Sequence, residues 1–162
     1  MKPKFLIIHH SASSRDRTTL SAINFWHKQR GFPKSSLGWY IGYHYVITGN
    51  GMLYQTRKEN EMGAHARANG MNYKSIGICL TGNFEIEKPS TKQLNTLKKF
   101  IENHPNLTVL GHNQIPYPTA CPGQRLLEWI NNYKSNQSQS SSNDRIKKIK
   151  SLLEEALKLL ND

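Results

Sequence analysis

The sequence predicts an α/β domain, a single mixed β-sheet flanked by helices, followed by a C-terminal linker and an amphipathic helix. Short apolar runs of strand length, Phe5–Ile8 and Ser75–Leu80, alternate with segments whose apolar residues recur every three or four positions. Composition then changes abruptly after Tyr133, where KSNQSQSSSN carries no apolar side chain.

Each element has its own signal. Phe5–Ile8 reads as a buried strand. Thr18–Arg30 reads as a helix with Leu20, Ile23 and His27 on one face and Gly31 as its stop. Tyr43–Thr48 alternates, Gly49-Asn50-Gly51 turns the chain, and Met52–Thr56 returns as a hairpin. Ser75–Leu80 is a second apolar strand. Ser90-Thr91-Lys92-Gln93 has the form of a capping box, opening a helix with Leu94, Leu97, Phe100 and Ile101 inward. Leu107–Leu110 is a further strand, and Gln124–Tyr133 a closing helix. These elements make residues 1–133 one domain, 134–143 a flexible Ser/Asn/Gln linker and 144–162 an amphipathic helix. Ile146, Ile149, Leu153, Ala156 and Leu160 form the stripe of that last helix, widened by Leu152, Leu157 and Leu159. Such a face fits self-association, membrane contact or folding back on its own domain.

Composition limits the function classes. With 36% hydrophobic residues the chain can bury a core, which excludes a wholly disordered protein. Its early apolar run is too short for a membrane span or a signal-peptide core, so synthesis as a soluble cytoplasmic protein is expected. Two cysteines, Cys79 and Cys121, exclude a disulfide scaffold. The formal charge of +11 points to an anionic partner, though no motif reads nucleic acid, so no specific nucleic-acid partner is expected. Residues 134–162 hold six basic and four acidic side chains, so most of that charge belongs to residues 1–133.

The candidate chemistry lies at strand ends. His9 closes the first strand, Gly111-His112 follows the last, and Cys121 lies in Thr119-Ala120-Cys121-Pro122-Gly123. Two imidazoles and a thiolate from separate segments are a three-ligand zinc set that keeps a fourth position open, the catalytic pattern. Spacing alone is no zinc motif, because neither H-E-x-x-H nor paired C-x-x-C occurs. Cys79, inside an apolar strand, reads as a core thiol.

Six blocks in order sharpen this reading: Ile7-Ile8-His9-His10-Ser11-Ala12, Gly42-Tyr43-His44-Tyr45-Val46-Ile47, Gly63-Ala64-His65-Ala66, Asn72 with Ser75–Gly82, Gly111-His112 and Thr119–Gly123. Together they resemble the zinc-dependent N-acetylmuramoyl-L-alanine amidases of type 2, which include phage endolysins and peptidoglycan recognition proteins. The resemblance covers residues 3–133. It implies Zn2+ bound by His9, His112 and Cys121, with His9 rather than His10 as ligand and His10 packing beneath. It places Tyr43 beside the metal, where its hydroxyl orients water or bonds the substrate carbonyl. It places Arg67 and Asn72 on a loop bordering the substrate groove. One position departs from the pattern of many phage enzymes: Thr119 stands where they carry a lysine, offering a hydroxyl dipole in place of a charge. His65 either shares the oxyanion stabilisation or orients its neighbours. The implied activity is cleavage of the amide between N-acetylmuramic acid and L-alanine by zinc-activated water. The implied setting is a phage or prophage endolysin that reaches the cell wall after release. A non-hydrolytic peptidoglycan-binding module is the alternative.

Overall fold

A computed structural model describes residues 2–160, with the side chains of 140, 141 and 155–160 outside the description. The chain divides into two compact units, residues 1–127 and 128–162.

In the first unit the strands are β1 (Phe5–His10), β2 (Tyr45–Ile47), β3 (Leu53–Gln55), β4 (Ser75–Leu80) and β5 (Thr108–Gly111). They form one sheet in the order β3-β2-β4-β1-β5. β1 runs parallel to both β4 and β5, β2 runs parallel to β4, and β3 alone is antiparallel. The sheet is therefore mixed, as the interleaving of elements predicts. Parallel strands covered on both faces need apolar side chains on both faces. β4 and the last five residues of β1 are buried throughout, which is why Leu6–Ile8 and Ile76–Leu80 read as unbroken apolar runs.

The register fixes which side chains share a face. His9 lies opposite Cys79, and Cys79 opposite Val46. Helix α1 (Leu20–Gln29) covers this face, where Ile23 packs with Ile41, Val46 and Cys79 and draws in Leu20, Trp39 and Tyr43. Thr19 caps α1 by accepting the Ala22 N–H at 3.2 Å. The short helix α2 (Met71–Lys74) leads into β4, and helix α3 (Thr91–Glu102) covers the other face, with Phe100 edge-on to Tyr45 at 4.7 Å. The expected capping box is present: Ser90 Oγ accepts the Gln93 N–H and Gln93 Oε1 accepts the Ser90 N–H. The Gln93 amide also donates to the Thr81 carbonyl at 2.8 Å, tying the cap to the end of β4.

Two expectations are corrected. Tyr43 precedes the hairpin strand rather than lying on it, because β2 begins at Tyr45. Residues 134–143, expected to be a flexible linker, are helical and belong to α4 (Gln124–Leu160). The segment lacks glycine and proline. Ser, Asn and Gln lie well under about 1 kcal/mol per residue below alanine in helix propensity, too little to break a helix. The hydroxyls of Ser135, Ser138 and Ser142 turn back to carbonyls four residues earlier, at 3.0–3.1 Å. Within the second unit Trp129 stacks on Tyr133 at 5.4 Å. Ile146, Ile149, Leu152 and Leu153 of the expected stripe are more than half exposed. Ala156, Leu157, Leu159 and Leu160 fall among side chains outside the described residues. No helix among the described residues is long and apolar enough to cross a membrane.

His27 supplies a test of the α1 packing. It is buried, and its Nδ1 accepts the Gly42 N–H at 3.0 Å. Burial, and then Arg30 and Arg57, push its pKa down to about 4. The neutral ring therefore contributes stability above the unfolded-state pKa, and that contribution is lost as pH falls through about 4. The loss is on the order of 3 kcal/mol. Unfolding free energies measured from pH 7 to pH 4 should fall less steeply for His27→Gln, which keeps an acceptor and does not titrate.

Candidate metal centre

The site is assembled by three backbone segments. His9 is the penultimate residue of β1, a strand held between β4 and β5. His112 opens the single helical turn His112–Gln114 directly after β5. Cys121 sits in the loop before α4, where Thr119 Oγ1 accepts its backbone N–H at 3.2 Å. Gly123 ends that loop at φ 86°, and a side chain there would strike the backbone of Phe84 and Glu85.

The ligand atoms of His9, His112 and Cys121 all lie within 4.8 Å of one another. Cys121 Sγ stands 3.5 Å from His9 Nδ1. Zinc–nitrogen and zinc–sulfur bonds at the tetrahedral angle give an N···S edge of about 3.6 Å. The donor set and its spacing thus fit a zinc ion. The protonation states fit as well. Burial, then the neighbouring His65 and His112, holds the pKa of His9 well below the usual imidazole value, and burial lowers that of His112. Both rings are neutral near pH 7, as ligation requires. Burial pushes the Cys121 thiol up to about 12, opposed by the His10 N–H that points to Sγ at 3.4 Å. A cation held by this set would supply the positive charge that a thiolate lacks here.

His10 faces away from the cluster and accepts the Phe84 N–H on Nδ1 at 3.2 Å. Tyr43 lies with its ring 5.0 Å from the His9 ring. Its phenol lies beside the Cys79 sulfur as a candidate donor, and the Cys79 thiol donates to the Leu80 carbonyl at 3.7 Å. Burial is the main reason its pKa lies well above the usual phenol value, so the group is a donor at neutral pH. His65 Nδ1 lies 3.0 Å from His9 Nε2. Asn72 Oδ1 accepts the backbone N–H groups of His65 and Ala66 at 2.9 and 2.8 Å. Thr119 is half-buried, and its oxygen serves the Cys121 loop. Arg67 is exposed and lines the groove beside the cluster.

That groove holds about 510 Å³ and is lined by Arg30, Phe32, His65, Arg67, Asn72, His112 and Tyr117 among others. Two arginines and no carboxylate stand among its described lining residues, so it favours an anionic ligand. Sequence reasoning missed Arg30, Phe32 and Tyr117 as lining, and it gave no role to His44. His44 Nδ1 accepts the Gly77 N–H at 2.9 Å, so Nε2 carries the hydrogen and donates to the Glu61 carbonyl at 3.0 Å. Its place in the Gly42-Tyr43-His44 block was the available signal.

Residues 1–124 match the family described as N-acetylmuramoyl-L-alanine amidase. The chain belongs to that family. Peptidoglycan-recognition protein SC2 of Drosophila melanogaster is 30% identical over 139 residues, covering 81% of this chain and 74% of that protein. The endolysin amidase LysCS of Clostridium intestinale superposes with a TM-score of 0.67 at 30% identity, over 83% of this chain and 85% of its own. A substituted form of Drosophila PGRP-LB, solved in complex with tracheal cytotoxin, superposes at 0.64 with 31% identity over 80% of each chain.

Gly77 tests how tightly this amidase-family site is packed. A Cβ there would lie 2.5 Å from the His65 ring. A ring wedged between strand and loop has little room to retreat. Gly77→Ala should cost about 1–3 kcal/mol in denaturant unfolding, the range for overpacking a buried site.

Proposed function

We propose that the protein is a peptidoglycan amidase that hydrolyses the bond between N-acetylmuramic acid and L-alanine, acting as an endolysin on the cell wall. The observation that carries the reading is the convergence of His9, His112 and Cys121, with His112 lining a basic groove. The family match and the likeness to an endolysin amidase support it.

His9, His112 and Cys121 would hold zinc, which when bound supplies a Lewis acid and activates water for attack on the amide carbonyl. The chain's own residues do the rest. Arg67 and Arg30 attract the carboxylates of an acidic stem peptide into the groove. Tyr43 donates a hydrogen bond to the developing oxyanion. In the resting state that hydrogen rests on sulfur, a weak acceptor, so turning it toward an anionic oxygen forfeits little. Thr119 keeps the Cys121 loop in place and adds a hydroxyl dipole where a lysine would add charge.

A recognition module that binds without cutting is the second reading, favoured by the kinship with SC2. Mass spectrometry of purified wall after digestion separates the two. The amidase reading expects new L-alanine amino termini, abolished by a chelator and restored by zinc, and abolished in Cys121→Ser. Binding without new termini is the recognition outcome.

Tyr43→Phe keeps the ring among Ile23, Ile41 and Val46 and removes only the donor. Turnover on soluble muropeptide should fall about ten- to a thousandfold with little change in melting temperature. An unchanged rate returns Tyr43 to a packing role.

A further inference from the structure

We propose that His65 is the positioning residue of the metal centre: it accepts the Nε2–H of His9 and so holds His9 Nδ1 toward Cys121 and His112. The inference rests on the zinc assignment above.

A neutral imidazole carries one hydrogen on one of two nitrogens. His9 Nδ1 is the nitrogen facing Cys121 Sγ, at 3.5 Å, and a ligating nitrogen must be bare. The hydrogen is then on Nε2, which meets His65 Nδ1 at 3.0 Å. That contact is a hydrogen bond only if His65 Nδ1 is bare and its own hydrogen sits on Nε2. His65 Nε2 is buried and its hydrogen is drawn toward the Ser75 backbone carbonyl, short of full hydrogen-bond geometry. That places the hydrogen on Nε2 and leaves Nδ1 bare to accept from His9.

The surroundings hold the ring in that pose. Its rim lies where side chains at Gly63 and Gly77 would be, 2.4 and 2.5 Å from where their Cβ atoms would stand. Gly77 is the residue of β4 that pairs with Ile7, two residues before the His9–Cys79 pair on the same face. A larger side chain at position 77 would push the ring off His9. Asn72 Oδ1 clamps the backbone on both sides of the His65–Ala66 peptide. Asn72 therefore acts through His65, and its oxygen is committed before any substrate arrives. Of the two roles open to His65 in the sequence, this geometry selects orientation of a ligand over direct contact with the oxyanion.

The test uses the full chain and two readouts other than turnover. Zinc affinity is measured by competition with a chromophoric chelator for the wild type, His65→Phe, His65→Gln and Cys121→Ala. Phenylalanine keeps a ring against Gly63 and Gly77 and offers no acceptor. Glutamine offers a carbonyl oxygen. The zinc Kd should rise about 10- to 100-fold in His65→Phe and stay within about threefold of wild type in His65→Gln. A role in packing alone predicts the reverse ranking. If His65→Phe binds zinc as tightly as wild type, the proposal is overturned while the zinc site stands. If Cys121→Ala binds as tightly as wild type, the zinc assignment itself fails. The second readout needs no variant: long-range proton–nitrogen NMR of the metal-free protein should find the hydrogens of both His9 and His65 on Nε2. A His9 hydrogen on Nδ1 overturns the proposal even where the phenylalanine variant does not fold.

Discussion

One imidazole has to satisfy two demands from opposite sides. His9 Nδ1 faces Cys121 at 3.5 Å while its Nε2 faces His65 at 3.0 Å. Both distances hold only if the ring plane and the backbone beneath it are fixed. The backbone is fixed by β1's position between two parallel partners, so both edges of the strand are hydrogen-bonded up to Ile8. The ring is fixed by Tyr43, His65 and His112, whose centroids lie 4.4–5.0 Å away in the closest shell. The late loop is brought to the strand by the His10 N–H, which turns the last residue of β1 into a donor for the Cys121 sulfur. The geometry of the candidate site is thus a property of β1, held between β4 and β5, and the loops adapt to it.

The electrostatics follow from the same burial. A cluster of neutral imidazoles without a carboxylate nearby has no charge of its own to lose on folding, so it can be buried without a partner ion. Cys121 is the exception. Its thiol is kept protonated by desolvation, so a cation held there would make metal binding and deprotonation one event. The groove outside keeps the arginines at its rim, in water, where they attract anions at long range and bear little desolvation cost.

What the sequence reveals of this arrangement divides by range. Strands β1 and β4 are legible because burial on both faces writes an apolar run into the chain, and the α3 start is legible because Ser90 and Gln93 form a local box. The grouping of His9, His112 and Cys121 is legible only through the order of the motif blocks, since residues 112 positions apart share no local signal. The His9–His65 contact is silent for the same reason: it depends on β1–β4 register and on a glycine whose purpose is to be small. Position 77 reads as a weak point in a strand until the ring lying on it is seen. The segment 134–143 misled for the opposite cause. Polar composition reads as flexibility, yet with no glycine or proline to break it the backbone continues in a helix through α4.

Cys79 shows how a residue of bland reading becomes part of the site. It is a fully buried thiol on the face of β4 shared with His9. Its hydrogen goes to the Leu80 carbonyl, which leaves the sulfur to accept from Tyr43. A serine there would accept more strongly and hold the phenol hydrogen in place; an alanine would leave the phenol unpartnered in an apolar cluster. Sulfur lies between these extremes. It can satisfy a buried donor in the resting protein and, under the proposed function, would yield it to an oxyanion, whose claim on a hydrogen bond is roughly twice as strong as that of a neutral acceptor. The core chemistry of β4 and the reactivity assigned to Tyr43 are in this way set by the same atom.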